Sequence, residues 1–345
     1  MSPEQSSSPT LEDVAAVAGV SRSTASRALL SQSRVSGATQ QRVLAAAEQL
    51  GYVPNMLAAQ LAHHTDSAIG LMLRDAANPA YGLMFTRLHE EAQKAGLRLL
   101  SSTIRPGWGD RGLEQLSSLQ WLMGLRVSGM IVATGGIRSE DLLPFHEQIP
   151  IIRAGRPETT SVVHAVSYDE QRAGEELVSH VLALGHREVA VVRSGEEVSY
   201  PEFIRASTML EALRRAGARA HEITVTHTDH GTDRAADLVH TTGTTVIMCP
   251  SDMRQLDHIR ALQVAGLAVP QDVSVTGCDG IIPGIDVLGL TSYRIGVEKL
   301  SERVISHMQT LLLRTGGDES LGPGVVRELI PGELLPGRTV RPLDT

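Results

Sequence analysis

Little in this sequence is aromatic. Phe, Trp and Tyr make up 3% of the 345 residues, so a core has to be built from Ala, Val, Leu and Ile, and stacked-ring platforms for single-stranded nucleic acid are not expected. Cysteine is scarcer still: Cys249 and Cys278 are too few for a disulfide framework and form no CxxC metal or redox pair. Both read as small core residues. No apolar run approaches the roughly 18 residues that span a bilayer, and the opening MSPEQSSSP has no apolar stretch behind a basic start; a cytoplasmic protein is expected. P-loop, GxGxxG and HExxH patterns are missing, and ATGG at 133–136 is too short to mean more than a turn. No Ser/His/Asp set can be assembled from spacing. No catalytic residue, metal ligand or cofactor is therefore expected.

Lysine is nearly absent as well. Lys94 and Lys299 are the two among 31 basic residues, so positive charge means arginine here. The formal charge of -8 is unevenly distributed: up to residue 64, Arg22, Arg27, Arg34 and Arg42 balance Glu4, Glu12, Asp13 and Glu48. The net acidity lies beyond that point.

With 42% apolar residues the chain can pack two or three domains. A Ser/Pro-rich segment, 1–9, reads as a disordered tail. Thr10 then opens TLEDVAAVAGV, where a hydroxyl followed three residues later by Asp13 forms a variant capping box. Leu11, Val14, Ala15 and Ala18 share one face, and Gly19 supplies the turn. Ser21 caps a second helix with Val20, Ala25 and Leu29 inward, and a third helix turns Val43, Leu44, Ala47 and Leu50 inward before Gly51. From residue 67 short apolar runs such as AIGLML, SGMIVAT, EVAVVRS and TTVIMCP alternate with amphipathic segments. Runs buried on both faces between crossover helices predict parallel sheets, and their number predicts two α/β lobes.

A short helix, a Gly-containing turn and a second polar-faced helix make a helix-turn-helix, whose second helix can enter a major groove. Spacing turns Ala25 and Leu29 inward and leaves Arg22, Ser23, Ser26 and Arg27 on the N-terminal and outer surface. An arginine fork there can bond a guanine edge in two places. Periodicity alone is equally compatible with an ordinary three-helix bundle. TLEDVAAVAGVSRSTASRAL, followed by RVSGATQQRVLAAAEQLGYVPNMLAAQLA, resembles the DNA-binding headpiece of the lac repressor family of bacterial transcription regulators. RVSGMIVA, LALGHREVAVV, VPQDVSVTGCDG and LTSYR extend the resemblance over about residues 10–340.

The resemblance implies an all-α helix-turn-helix headpiece at 10–53 and a hinge helix with linker at 54–66. A two-lobed parallel-sheet α/β core, similar to periplasmic sugar-binding proteins, follows at 67–334, and a tail at 335–345. Lobe 1 is expected at about 67–166 plus 292–322, lobe 2 at about 167–290 plus 324–334. Carried over by position, Arg22 and Ser23 contact bases, Arg27 a base or phosphate, and Thr10, Ser21, Thr24 and Ser36 the backbone. In the hinge, Asn55 is the cap and Leu61, supported by Ala58, the minor-groove wedge. The implied partners are double-stranded operator DNA, a second copy of the chain and a small-molecule effector. Ala25 replaces a common valine, Leu30 a common asparagine, and His63 and His64 stand where many members are basic.

Ligands of open α/β sheets sit beyond the carboxyl ends of strands. The loops there supply Arg74, Asp75, Asn78, Arg153, Arg156, Ser251, Asp252 and Asp279. Arg205, at the start of a helix, aligns with the arginine that grips ligand oxygens in the family, and with Asp279 it is the firmest choice; Asp75 and Asp252 are equally readable as helix caps. Gly280 replaces the second acid of a usual pair, Thr208 a glycine and Glu170 a frequent asparagine. An acid lost among retained arginines makes a sugar phosphate or sugar acid a candidate effector beside a neutral sugar. A solute-binding protein or an enzyme built on the two-lobed core is the alternative, and the headpiece argues against both.

Overall fold

The computed structural model describes residues 9–29, 35–53, 68–104, 111–134, 136–226, 228–315 and 324–343. Contacts divide the chain into one unit ending at Asp66 and another beginning at Ser67.

In the first unit, helices α1 (Leu11–Ala18), α2 (Arg22–Leu29) and α3 (Gly37–Leu50) pack on small side chains. Val14, Ala15, Ala18, Ala25, Ala28, Val43, Ala46 and Ala47 are buried, with Leu11, Val20, Leu29, Leu50 and Tyr52 packed around them. The capping box forms: the Asp13 N–H donates to Thr10 Oγ1 at 3.3 Å and the Thr10 N–H to Asp13 Oδ2 at 2.8 Å. These bonds satisfy N–H groups that a helix start leaves without intrahelical partners. Gly19 ends α1 at φ 66°, a left-handed conformation suited to glycine. One inward position differs from expectation. Leu44 is 48% exposed while Ala46 is buried, because α1 and α2 approach α3 along the line of Val43, Ala46 and Ala47.

The second unit carries two parallel sheets. Strands β1 (Ala68–Arg74), β2 (Arg98–Ile104), β3 (Gly129–Ala133), β4 (Ile151–Ala154) and β5 (His164–Tyr168) join β11 (Arg327–Ile330) in the order β11-β5-β4-β3-β1-β2. Strands β6 (Glu188–Ser194), β7 (Arg219–Val225), β8 (Val246–Met248) and β9 (Ser274–Thr276) form the other, in the order β7-β6-β8-β9. β10 (Ser292–Arg294) and β12 (Glu333–Leu335) make a small antiparallel pair. The central strands are buried on both faces, as crossover connections require. Ile69, Leu71 and Leu73 pack with Met84 and Leu88 of helix Pro79–Lys94 and Leu300, Val304 and Met308 of helix Val297–Thr315. On the other face, Met72, Met130 and Val132 pack with Leu119 and Leu122 of helix Arg111–Gly124.

The end of the chain departs from the expected division. Segment 324–334 was expected to complete lobe 2, but Arg327–Ile330 pairs in parallel with Ala165–Tyr168 of the first sheet. Its buried Ile330 packs in the first lobe's core, where helix Val297–Thr315 delivers it. The segment expected as a tail, described as far as residue 343, is bonded to the second lobe. The Val275 N–H donates to the Thr339 carbonyl at 2.8 Å, and the Leu343 N–H to the Leu184 carbonyl at 2.9 Å, so this segment borders β9 and the second sheet.

Gln255, fully buried on helix Asp252–Val264, ties these returns together: its Nε2 lies 3.0 Å from the Val275 carbonyl, 3.2 Å from the Thr291 carbonyl and 3.1 Å from Thr339 Oγ1. Removing it leaves buried acceptors without a donor, which costs about 1–3 kcal/mol. Gln255→Ala should lower the urea midpoint of the second unit accordingly, while the helical signal of the first unit melts unchanged.

Candidate nucleic-acid interface and effector cleft

The N-terminal turn of α2 is the polar face of the first unit. Ser21 precedes the helix, and its Oγ accepts from the Thr24 N–H at 3.2 Å while lying 3.0 Å from Ser23 Oγ and 2.8 Å from Thr24 Oγ1. The Arg22 side chain is 70% exposed and its Nε lies 2.7 Å from Glu12 Oε1. An ion pair this exposed is worth little in water, so it presets the guanidinium without consuming it. Arg27 donates from Nε to the Ser23 carbonyl at 3.1 Å, which turns its fork back along the same face. Ser36 caps α3 by accepting from the Thr39 N–H at 3.3 Å.

Thr10, Ser21 and Ser36 therefore all sit at helix starts, where backbone N–H groups and the helix dipole favour an anion such as a phosphate. Arg22, Ser23, Thr24 and Arg27 fall together on one helix, as expected. Asn55, Ala58 and Leu61 of the expected hinge, and His63 and His64, lie outside the described residues.

In the second unit, two of the candidates, Arg205 and Asp279, come together. Arg205, on helix Tyr200–Arg215, is buried. Its Nε and Nη2 lie 2.7 and 2.6 Å from Glu170 Oε2, its Nη1 donates to the Pro250 carbonyl, and Asp279 Oδ1 is 3.7 Å from Nη1. Asp279 follows β9 at φ 111°, a conformation that a non-glycine residue adopts only when its surroundings enforce it. The enforcing bonds are visible: the Asp279 N–H donates to the Tyr293 carbonyl, and its carbonyl accepts from the Ile295 N–H, each at 3.0 Å. Burial pushes the Asp279 carboxyl well above the usual range, against the pull of Arg205.

Asp252 is neither a helix cap nor free for a ligand. Its Oδ2 accepts from the Gly280 N–H at 2.7 Å and its Oδ1 from the Ser292 hydroxyl at 2.5 Å, pinning the loop after β9 against β10. Burial raises it to about 6 despite those two bonds. Gly280 is required where it stands: at φ 70°, a Cβ would collide with the Arg294 backbone. The second acid of the family pattern is thus excluded by space. Ser251 starts the same helix without a side-chain cap bond.

The remaining arginines face other partners. Arg74 Nη1 donates to the Val198 carbonyl at 2.8 Å, and the Arg156 guanidinium sits 4.4 Å over the Tyr200 ring, so both reach from the first sheet to segment 195–200. Arg156 also donates to the Ile137 carbonyl. Arg153 is fully buried, pairs with Glu158 and bonds the Ile137 carbonyl, so it belongs to the first lobe's interior rather than to a cleft. Asp75 closes a turn by accepting from the Ala77 N–H, and Asn78 is the helix cap.

Spacing missed Tyr168, Tyr200 and Ser292. Tyr168 and Ser292 lie on strands and Tyr200 at a helix start, so the strand-end rule could have flagged Tyr168 alone. Among the described residues no His/Cys/Asp/Glu group is arranged to hold a metal ion, and no helix is long and apolar enough to cross a membrane.

Comparison with known proteins bears on both sites. Residues 10–55 match the family model for bacterial regulatory proteins of the lacI family, and residues 178–340 match a periplasmic binding protein-like domain. The HTH-type transcriptional regulator DegA of Bacillus subtilis (strain 168) is 28% identical over 355 residues, covering 97% of this chain and 99% of the relative. Among solved structures, the lac repressor dimer bound to operator and the anti-inducer ONPF superposes with a TM-score of 0.80 at 23% identity, over 97% of this chain and 100% of that one. The transcriptional regulator CelR in complex with cellobiose gives 0.64 at 23% identity, over 96% and 99%. At such identities these structures establish a shared fold.

Because Asp252 is ionised at neutral pH only at a cost, protonating it favours the folded state. Its folded value of about 6 exceeds the ordinary 3.8, so this contribution is full below about 3.8 and is lost as pH rises through about 6. The prediction is that Asp252→Asn flattens the slope of unfolding free energy between pH 4.5 and 6.5 in denaturant titrations; an unchanged slope would contradict it. Glu170→Ala strands the buried Arg205 guanidinium and should cost about 3–5 kcal/mol in the same assay, whereas Asp75→Ala should stay within about 0.5 kcal/mol.

Proposed function

This chain belongs to the lacI family of bacterial regulatory proteins, and on that footing we propose that it is a sequence-specific DNA-binding transcriptional regulator, a repressor controlled by a small-molecule effector. The observation that carries the reading is the exposed turn of α2, where Arg22, Ser23 and Arg27 project from a capped helix-turn-helix. A fork such as that of Arg22 reads a guanine edge, while Ser21, Thr24, Thr10 and Ser36 sit at helix starts that suit phosphates. Asn55, Ala58 and Leu61 are assigned to a hinge in the minor groove. A two-fold pair of chains would present two such helices to a pseudo-palindromic operator, which is why a homodimer is part of the proposal.

The effector is placed between the lobes of the second unit, with Arg205 and Asp279 as its nearest polar groups and Arg74, Asp75, Arg156, Ser251 and Asp252 shaping the loops around them. A sugar or sugar derivative suits such a cleft, and CelR, of similar fold, was solved as a complex with cellobiose. Arg205 and Arg153 are each paired with a glutamate and offer little to an anionic sugar, whereas Arg74 and Arg156 are held by a carbonyl and a ring and keep their charge. Arg74 on the Val198 carbonyl and Arg156 on Tyr200 join the two lobes, so an effector that favours another closure competes with these two contacts. Control requires only that it bind the two states unequally. No role as an enzyme is assigned, in keeping with relatives that are transcriptional regulators.

Operator selection from a random duplex library with the full chain should return a two-fold symmetric site. Arg22→Ala should then cost about 1–3 kcal/mol in binding and relax the preference at one position of each half-site. An unchanged preference would remove Arg22 from the readout.

A further inference from the structure

We propose that Glu12 is a positioning residue of the operator readout: it holds the Arg22 guanidinium from the Nε side, so that the terminal Nη1 and Nη2 pair meets a base edge rather than a phosphate. The inference rests on the assignment of Arg22 to a base made above and adds the residue that sets its discrimination.

Geometry is the first reason. Glu12, the second residue of α1, places Oε1 2.7 Å from Nε of Arg22, the first residue of α2, so the pair ties the two helices together across their turn. Glu12 takes no part in the capping box, which Thr10 and Asp13 complete between themselves. Its contact with Arg22 is therefore not a by-product of the cap. Arg27 is held in the same way, since its Nε donates to the Ser23 carbonyl at 3.1 Å. Both arginines of α2 are thus gripped at the inner nitrogen, and the outer pair of a guanidinium is the end that bonds the two acceptors of a guanine in parallel. An arginine side chain loses rotamer freedom when it docks, and a partner that orders it beforehand lowers that cost.

Charge is the second reason. The Glu12 side chain is 59% exposed beside the helix assigned to the major groove, in a stretch up to residue 64 whose arginines and acids already cancel. An acid there repels phosphates and weakens binding to any duplex. It also neutralises Arg22, and this bears unequally on the two kinds of target. A phosphate attracts a guanidinium mainly through charge, whereas a guanine edge presents neutral acceptors in a fixed geometry. Pairing with Glu12 therefore subtracts more from a phosphate contact than from a base contact, so that raw affinity falls and the wrong target is penalised. An acid in the first turn of a helix also suits the helix dipole. That role accounts for an acid at residue 12 but not for its seat on Arg22, and it predicts no change in base preference.

The test measures binding of the full chain, over a range of salt, to three duplexes of equal length: the selected operator, that operator altered at the position whose preference Arg22→Ala relaxes, and an unrelated sequence. Glu12→Gln keeps the size of the side chain and removes its charge. It should bind the unrelated duplex several-fold tighter, with a salt slope steeper by about one phosphate contact, and should lower the discrimination between selected and altered operator about tenfold. In an Arg22→Ala background Glu12→Gln should leave the remaining preference unchanged, which separates positioning from a general effect of charge or folding. Discrimination retained by Glu12→Gln, with all three affinities raised alike, makes Glu12 a bystander and overturns the proposal. An equal loss of discrimination with and without Arg22 overturns it as well. An Arg22→Ala chain whose base preference is unchanged overturns the assignment of Arg22 itself, and this proposal with it.

Discussion

A guanidinium taken out of water must find its hydrogen bonds and its counter-charge inside the protein, and Arg205 imposes that requirement on the whole second lobe. Its helix has to lie against the helix that carries Glu170, the turn after β8 has to present the Pro250 carbonyl, and the loop after β9 has to bring Asp279 within reach. The loop in turn is anchored by Asp252 through the Gly280 N–H and the Ser292 hydroxyl. Four separate stretches of chain thereby converge on one charged group. Breaking a buried pair of this kind strands a charge, whereas forming it adds little net stability, so its value lies in fixing which segments meet.

The same constraint sorts the arginines by role. In a chain with almost no lysine, the planar fork is used three ways. In the first unit it is exposed and loosely held, as in Arg22, so that its terminal nitrogens stay open to a base or phosphate. In the first lobe's interior it is locked, as Arg153 is to Glu158. Between the lobes it reaches across to a carbonyl or a ring, as Arg74 and Arg156 do. An arginine count therefore says little about ligand charge until each partner is known.

Much of the architecture was legible in the sequence because it rests on local rules. The Thr10 and Asp13 pair, the serines at 21 and 36 and the glycines at 19 and 51 mark helix limits through groups adjacent in the chain. Short runs such as AIGLML and SGMIVAT announce strands buried on both faces. What failed was whatever depended on partners far along the chain. Leu44 was placed inward by periodicity, yet which side of α3 is covered is decided by where α1 and α2 dock. Segment 327–330 joined the first sheet because the preceding helix packs in that lobe, a choice that a four-residue strand cannot express.

The candidate site divides along the same line. Sequence determined that an exposed arginine-bearing helix start belongs to a helix-turn-helix, since cap, spacing and residue type all lie within one short stretch. It also singled out Asp279 through its position after a strand, and Arg205 through the family resemblance. Only the tertiary structure decided that Glu170 already holds Arg205, that Asp252 is spent on a backbone N–H and a hydroxyl, and that Tyr168 and one oxygen of Glu170 are buried without partners. The physical reason is that the charge available to a ligand is what remains after every internal pairing is made, and those pairings link residues far apart in the chain, such as Glu170 with Arg205 and Arg205 with Asp279.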